Sequence, residues 1–189
     1  MVIFNLEQIL EAYKMGLFPM AYSKDSSEYH WVRPEMRGVI FIDKFNIPKS
    51  LKKFMAHMSY KITKNKAFLD VIEGCCETTK NRLDSWINSE IIEMFVALNK
   101  AGYADSYECW NEEDKLIGGL YGLKMGKIFC GESMFSREEN ASKVCLVRLY
   151  EDLKQADYTL IDTQFVNEHL LQFGAEEIPH QIFLEKIKA

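Results

Sequence analysis

Residues 129–143 read FCGESMFSREENASK, and this stretch decides how the centre of the chain folds. Its first residues form an apolar, strand-like segment that ends at Gly131, and Asn140 then precedes a helical pattern that runs to about Lys154. A glycine inside a strand often marks a β-bulge. We therefore expect a strand that is irregular at 130–131, so that Phe129 and Glu132 line one cleft, followed by a helix capped by Asn140.

The segments around this stretch predict an antiparallel meander followed by a helix and a further strand. Strand patterns precede it at 105–110 and 115–126, and a buried strand, 158–164, follows the helix. Helical patterns are found upstream at 5–16, 49–57, 67–75 and 89–102. This order of elements predicts an α+β fold with a mixed sheet flanked by helices.

Composition limits the classes of protein that need to be considered. The 189 residues carry a formal net charge of −5, which argues against binding to nucleic acid by overall charge but allows a local basic patch. No apolar run approaches the ~20 residues of a membrane helix. The first residues lack the features of a signal peptide, and the five cysteines form no CxxC pair. We expect a cytoplasmic protein with reduced thiols and with neither metal nor cofactor.

Asp162 and Gln164 are the first candidates for chemistry. Both lie at the end of the apolar strand 158–164, and because strand side chains alternate they are expected on one face. A carboxylate and an amide there can orient an incoming amine and polarise a carbonyl group. The alternative is that both only bind loop backbone at the end of a strand.

Glu132, Cys130 and Ser133 are further candidates within the opening stretch. Glu132 is either a cleft residue or an exposed glutamate at the end of a strand. Cys130 and Ser133 are nucleophile types, but no histidine is adjacent and no GxSxG motif is present, which favours an inert buried cysteine.

A basic helix and a tryptophan could contact nucleic acid. Lys49, Lys52 and Lys53 lie in one short helical segment and could bind phosphates, or could form a solvated face. Trp86 could stack on a base or simply be packed in the core.

The ordered motifs GLFPM, HWVRP, DSWI, GGLYG, FCGESMFSREENASK and LIDTQ together resemble the leucyl/phenylalanyl-tRNA–protein transferase family. The resemblance extends from about Leu6 to Pro179. It implies an acetyltransferase-like (GNAT) catalytic domain over 46–189, preceded by a small N-terminal lobe over 1–45 that is shortened here. It also implies transfer of an aminoacyl group from tRNA to the α-amine of a protein.

The resemblance implies roles for residues at matching positions. Asp162 orients or deprotonates the acceptor amine, with Gln164 at the carbonyl group. Glu132, Trp86 and Asn167 bind the aminoacyl-adenosine. The apolar pocket for the amino acid is formed by Leu120, Phe129, Leu146 and Leu149, and the acceptor stem of the tRNA is contacted by Lys49, Lys52 and Lys53.

The sequence departs from the family pattern at several positions. Met20 stands where the family has a tryptophan, Phe95 where it has a tyrosine, and Ala56 where a lysine is usual. These departures leave the reaction class unchanged but bear on the choice of amino acid, the acceptor N-terminus and the affinity for tRNA.

The expected partners are aminoacyl-tRNA and a protein with N-terminal Arg or Lys, which would be marked for degradation under the N-end rule by a monomeric enzyme. An acyl-CoA transferase is disfavoured because the segment REENASK contains no glycine for a pyrophosphate loop. Two alternatives remain open. One is the same reaction with another amino acid or acceptor, such as arginine and acidic N-termini, and the other is a non-catalytic tRNA or peptide-binding module.

Overall fold

The computed structural model describes residues 5–77 and 84–188. Within these residues the α-helices are Leu6–Lys14 (α1), Lys49–Met55 (α2), Phe68–Cys76 (α3), Ser89–Lys100 (α4), Ala141–Gln155 (α5), Glu168–Leu171 (α6) and His180–Lys188 (α7). The strands are Phe18–Ala21 (β1), Tyr29–Val32 (β2), Met36–Phe41 (β3), Lys61–Lys64 (β4), Ala104–Trp110 (β5), Leu116–Met125 (β6), Ile128–Ser136 (β7), Leu160–Gln164 (β8) and Glu176–Pro179 (β9).

Among the described residues the strands form a two-stranded ribbon, β1–β2, and a seven-stranded sheet in the order β4-β5-β6-β7-β8-β3-β9. Neighbouring strands of the larger sheet are antiparallel except β7 and β8, which are parallel. The parallel pair arises because helix α5 connects the two strands as a crossover. The prediction of an α+β fold with a mixed sheet is confirmed.

Residues at the ends of several helices explain where those helices begin or end. The Asn5 side chain accepts a hydrogen bond from the backbone N–H of Gln8 at 3.2 Å and caps α1. Pro48 precedes α2, and the α4 helix ends just before Gly102. The segment 16–20 contains most of β1, and β9 was not predicted.

Helix α5 begins in a different way from the prediction. Asn140 adopts a left-handed conformation with φ 58°, and its side chain makes no capping hydrogen bond. The Oγ atom of Ser136, at the end of β7, instead accepts from the backbone N–H of Ser142 at 2.8 Å. The capping group therefore comes from the preceding strand, since Asn140 lacks the extended backbone conformation that is typical of a capping residue.

The sheet is covered by a hydrophobic cluster on each face. One cluster includes residues of α1, α3, α4 and α7, such as Tyr13, Phe95 and Phe183. The other is built on α5 and includes Leu146 and Leu149. Helix α5 lies close to the sheet at the GGLYG motif, because a Cβ atom on Gly118 would lie 2.5 Å from that of Ala141.

The predicted division of the chain at residue 45 crosses the larger sheet. Strand β3, Met36–Phe41, lies between β8 and β9, so this part of the predicted N-terminal lobe belongs to the seven-stranded sheet. The β1–β2 ribbon and α1 are the N-terminal elements that lie outside it. The division into two domains stays a prediction.

Candidate functional site

A cavity of about 430 Å³ lies where β7 and β8 separate. Residues Ile128–Cys130 of β7 pair with Leu160–Asp162 of β8. Beyond Cys130 and Asp162 the two strands are no longer paired with each other. Residues that follow on both strands line the cavity, together with β6, α5 and the segment around α6. The apolar part of its wall includes Leu120, Leu146, Leu149, Ile161 and Leu170, and the polar part includes Glu132, Ser133, Thr163, Gln164, Asn167 and His169.

The irregularity expected in β7 is present but lies one residue further along. Tyr121 of β6 pairs with Ser133 and Gly122 pairs with Gly131, so Glu132 is an extra residue in the bulge. Phe129 and Glu132 therefore remain on opposite faces. Phe129 is buried in the α5 cluster and is absent from the cavity lining, whereas Glu132 lines the cavity.

A second irregularity separates the environments of Asp162 and Gln164. Gly38 of β3 pairs with Gln164 and Val39 pairs with Asp162, which leaves Thr163 as an extra residue. Gln164 adopts a left-handed conformation with φ 59°. The backbone after it lies close to β3, because a Cβ atom on Gly38 would be 2.5 Å from the carbonyl carbon of Phe165. The expected shared face is therefore lost: Gln164 lines the cavity, whereas Asp162 is fully buried and does not.

Asp162 forms a buried ion pair with Arg37. The Arg37 Nε atom donates to Asp162 Oδ1 at 2.7 Å and Nη2 donates to Oδ2 at 2.6 Å, with the two side chains 1% and 0% exposed. The backbone N–H of Gln164 also donates to Oδ1, at 3.0 Å. Both carboxylate oxygens are therefore occupied, and the carboxylate holds the left-handed Gln164 in place.

Arg37 is itself fixed on three further sides. Its Nη1 atom donates to the carbonyl oxygen of Gly16 at 2.9 Å, and its guanidinium lies 4.8 Å and 4.5 Å from the ring centres of Phe18 and Phe183. Burial opposes the charge of Arg37, but Asp162 raises its pKa above the ordinary value, so the guanidinium stays charged.

Glu132 has an unusual electrostatic environment. The Tyr13 hydroxyl donates to Oε1 at 2.8 Å, while Oε2 has no partner among the described residues. Burial raises the pKa of Glu132 to about 8, Asp162 adds to this rise, and Tyr13 and Arg37 oppose it. At neutral pH the carboxyl group is largely protonated, so Oε2 can donate a hydrogen bond into the cavity.

The other predicted site residues divide into two groups. Leu120, Leu146, Leu149 and Asn167 line the cavity, and the Oδ1 atom of Asn167 also caps α6 by accepting from Leu170 N at 3.0 Å. Trp86 does not line it but packs against the core near β1, where its carbonyl oxygen accepts from Ala21 N.

The predicted basic residues lie on the surface of α2. Lys49, Lys52 and Lys53 are all solvent-exposed and lie outside the cavity lining.

Neither nucleophile type is activated. Burial and the neighbouring Asp162 raise the pKa of the Cys130 thiol well above its ordinary value, which keeps it protonated. Ser133 lines the cavity, but no hydrogen bond to a histidine is found for it in 5–77 or 84–188. In the described part of the chain, neither of these two candidates is therefore prepared to act as a nucleophile.

No group of three or more His, Cys, Asp or Glu residues in this part of the chain is arranged to hold a metal ion. None of the helices within residues 5–77 and 84–188 combines the length and apolar character needed to cross a membrane.

Several important residues were not predicted. Arg37 and Tyr13 reach their partners across 125 and 119 residues of sequence, so no local pattern connects them. His169 lines the cavity with its Nε2 atom unpartnered among the described residues, and burial and Lys143 lower its pKa. His169 lies two residues after Asn167 in FVNEH, and this closeness to a predicted site residue was a signal in the sequence that it could border the site.

The fold and the site define an α+β protein with a partly apolar cavity between two diverging strands, bordered by carboxyl, amide and hydroxyl side chains. The family model described as leucyl/phenylalanyl-tRNA protein transferase matches residues 39–188. The chain belongs to this family of enzymes.

Full-length relatives agree with this assignment. A leucyl/phenylalanyl-tRNA–protein transferase of Hyphomonas neptunium is 45% identical over 186 residues, which is 98% of this chain and 72% of the relative. That of Paramagnetospirillum magneticum is 45% identical over 179 residues, which is 95% of this chain and 85% of the relative.

Two solved structures overlap partially with the chain. A GNAT-family acetyltransferase from Staphylococcus aureus Mu50 has a TM-score of 0.43 and 14% identity, over 52% of this chain and 68% of that chain. The structure of L-PGS from Bacillus licheniformis has a TM-score of 0.45 and 13% identity, over 91% and 58%. Both scores are below 0.5, so the fold assignment rests on the sheet itself.

Proposed function

We propose that the protein transfers leucine, phenylalanine or methionine from aminoacyl-tRNA to the α-amine of proteins that begin with arginine or lysine, which creates a degradation signal. The observation that carries this proposal is the cavity of about 430 Å³, whose leucine-lined wall suits a side chain of this size and polarity. Burial of such a side chain releases roughly 1.5–3 kcal/mol, and one methylene discriminates only weakly. Overlapping use of these three amino acids follows.

The chemistry requires positioning more than covalent catalysis. The amine nitrogen attacks the ester carbonyl carbon, the C–N bond forms, the bond to the ribose oxygen breaks, and that oxygen takes up a proton. The ester is already activated, which fits a site where Cys130 stays protonated and where no histidine in the described part of the chain hydrogen-bonds to Ser133. Because an α-amine has a pKa of about 7.7–8.0, a large share is neutral in mild alkali.

Each polar group has a proposed role at the reacting end of the tRNA. Glu132 and Asn167 bind the aminoacyl-adenosine, and Gln164 lies at the carbonyl group of the ester; all three side chains line the cavity. Asp162 acts as an orienting group and not as a base. Arg37 donates to both of its oxygens, and the N–H of Gln164 donates to Oδ1, so the carboxylate fixes the backbone at Gln164.

Two further roles lie outside the cavity. Trp86 lies near the terminal adenosine, and the exposed lysines of α2 contact the acceptor stem.

The test supplies tRNAs charged with each labelled amino acid, together with peptides of every N-terminal residue. We expect label to move from Leu-, Phe- and Met-tRNA to Arg- and Lys-peptides. Transfer confined to another amino acid, or to acidic N-termini, would reject the proposed specificity. No transfer from any charged tRNA would reject the activity itself.

A further inference from the structure

Tyr13 makes a buried contact with the cavity wall from a distant part of the chain. Its hydroxyl donates to Glu132 Oε1 at 2.8 Å, and the two residues are 1% and 8% exposed. Glu132 is the extra residue of the β7 bulge, so the strand ladder does not restrain it. With Oε1 occupied by the phenol, Oε2, which has no partner within residues 5–77 and 84–188, is the oxygen left for a ligand.

The position of Tyr13 is fixed by the elements around it. Helix α1 buries Ile9 and Tyr13, and the Tyr13 ring packs edge-on against Trp31 with ring centres 6.3 Å apart. Just beyond the helix, the Gly16 carbonyl oxygen accepts the Arg37 hydrogen bond. The phenol is therefore held in place independently of Glu132.

We propose that Tyr13 is a positioning residue that holds Glu132 so that its second oxygen meets the aminoacyl end of the tRNA. This inference rests on the proposed function, in which Glu132 contacts that end. Without the hydroxyl, the carboxyl group of a bulge residue can rotate among several orientations.

The ionisation of the pair supports this role. Burial and Glu132 raise the pKa of Tyr13 well above its ordinary value, so the phenol is a donor throughout the physiological range. Its hydrogen bond lowers the pKa of Glu132 against the effect of burial. The other titratable groups that act on this pair are Asp162, Arg37, Cys130 and Tyr121.

The experiment compares Tyr13→Phe with Tyr107→Phe. Tyr107 is equally buried and donates to Asp152 at 2.9 Å, but it is not among the residues that line the cavity. We expect Tyr13→Phe to lower kcat/KM for Leu-tRNA about tenfold, because Glu132 is then no longer held to make its hydrogen bond with the aminoacyl end. The pH at which the Glu132 carboxyl titrates, followed by ¹³C NMR, is expected to rise. Tyr107→Phe is expected to change neither quantity.

A double-mutant cycle identifies the partner. In a Glu132→Gln background, Tyr13→Phe is expected to have no more than a twofold further effect, because the carboxyl group that it positions is gone. Wild-type kcat/KM and an unshifted titration in Tyr13→Phe would overturn the inference, as would a full effect in the Glu132→Gln background.

A binding measurement separates this inference from the proposed function. The probe is adenosine that carries phenylalanine in amide linkage at its 3′ position, which cannot donate the amino acid. If the wild-type protein transfers nothing, the proposed activity fails while the role of Tyr13 is still decided. Weaker binding of the probe by Tyr13→Phe than by Tyr107→Phe supports the inference, and equal binding overturns it.

Discussion

At the residue scale, two buried carboxyl groups close to one another are held in opposite ways. Arg37 binds both oxygens of Asp162, whereas Tyr13 donates to one oxygen of Glu132 and the other has no partner in the described part of the chain. This difference assigns orientation of the backbone to Asp162 and contact with the ligand to Glu132 in the proposed reaction.

The first prediction concerns stability and pH. The pKa of Glu132 is about 8 in the folded protein and about 4.3 when unfolded, so the folded state binds the proton more tightly. The contribution to stability is present below about pH 4.3 and is lost as pH rises toward 8. As pH rises from 5 to 8, wild type loses this contribution and Glu132→Gln does not. The unfolding free energy of Glu132→Gln relative to wild type is therefore expected to increase by on the order of 2 kcal/mol over this range. Denaturant unfolding at several pH values measures this difference. The same dependence of unfolding free energy on pH in both proteins would contradict it.

The second prediction separates the two possible roles of Asp162. Loss of a general base costs about 10²–10⁴-fold in rate, whereas an orienting group whose Oδ1 atom is kept by asparagine should cost about tenfold. Asp162→Asn is expected to transfer leucine about tenfold more slowly with unchanged binding of tRNA. Asp105→Asn is the control, because Asp105 is also buried and paired, with Lys64 and Lys124. A loss of a thousandfold or more in folded Asp162→Asn would restore the role of a base.

At the element scale, helix α5 begins with a cap from the preceding strand. Ser136→Ala is expected to lower the free energy of unfolding by about 1 kcal/mol, because it leaves the N–H of Ser142 unpaired. Asn140→Gly is expected to be neutral or slightly stabilising, since φ is 58° and the side chain caps nothing. Thermal and denaturant unfolding test both variants. A larger loss for Asn140→Gly than for Ser136→Ala would contradict this description.

The lysines of α2 carry a prediction about tRNA. If Lys52 and Lys53 each neutralise a phosphate, their replacement by alanine removes about 1.4–1.8 from the slope of log affinity against log salt. A matched control replaces Lys186 and Lys188, two exposed lysines of α7. Filter binding at several salt concentrations is expected to show the reduced slope for α2 alone. Equal slopes for both variants would place the acceptor stem elsewhere.

At the scale of the whole molecule, short-range features were predictable and long-range pairing was not. The helical patterns at 5–16 and 49–57 predicted α1 and α2, and the strand patterns in 105–133 predicted the meander. The insertion of β3 between β8 and β9 joins segments more than 100 residues apart, and no local pattern encodes it. For the same reason the motifs identified Glu132 and Gln164 but gave no indication of Tyr13 or Arg37.

The two bulges explain why the site was predicted only in part. Strand alternation places Asp162 and Gln164 on one face, but the extra residue Thr163 breaks it. The bulge in β7 falls at Glu132 and not at 130–131, so Phe129 stays in the α5 cluster. Sequence patterns detect that a strand is irregular more easily than they locate the extra residue.

The central claim is that the amino-acid side chain lies in the cavity between β7 and β8. Leu146→Phe adds a ring to its wall, whereas Leu153→Phe enlarges a buried residue of the same helix outside the lining. The measurement is the ratio of phenylalanine to leucine transferred to an Arg-peptide, in which any loss of folded protein cancels. We expect this ratio to fall about tenfold in Leu146→Phe, as for loss of space for one or two methylene groups, and to stay at the wild-type value in Leu153→Phe. An unchanged ratio in Leu146→Phe would contradict the claim.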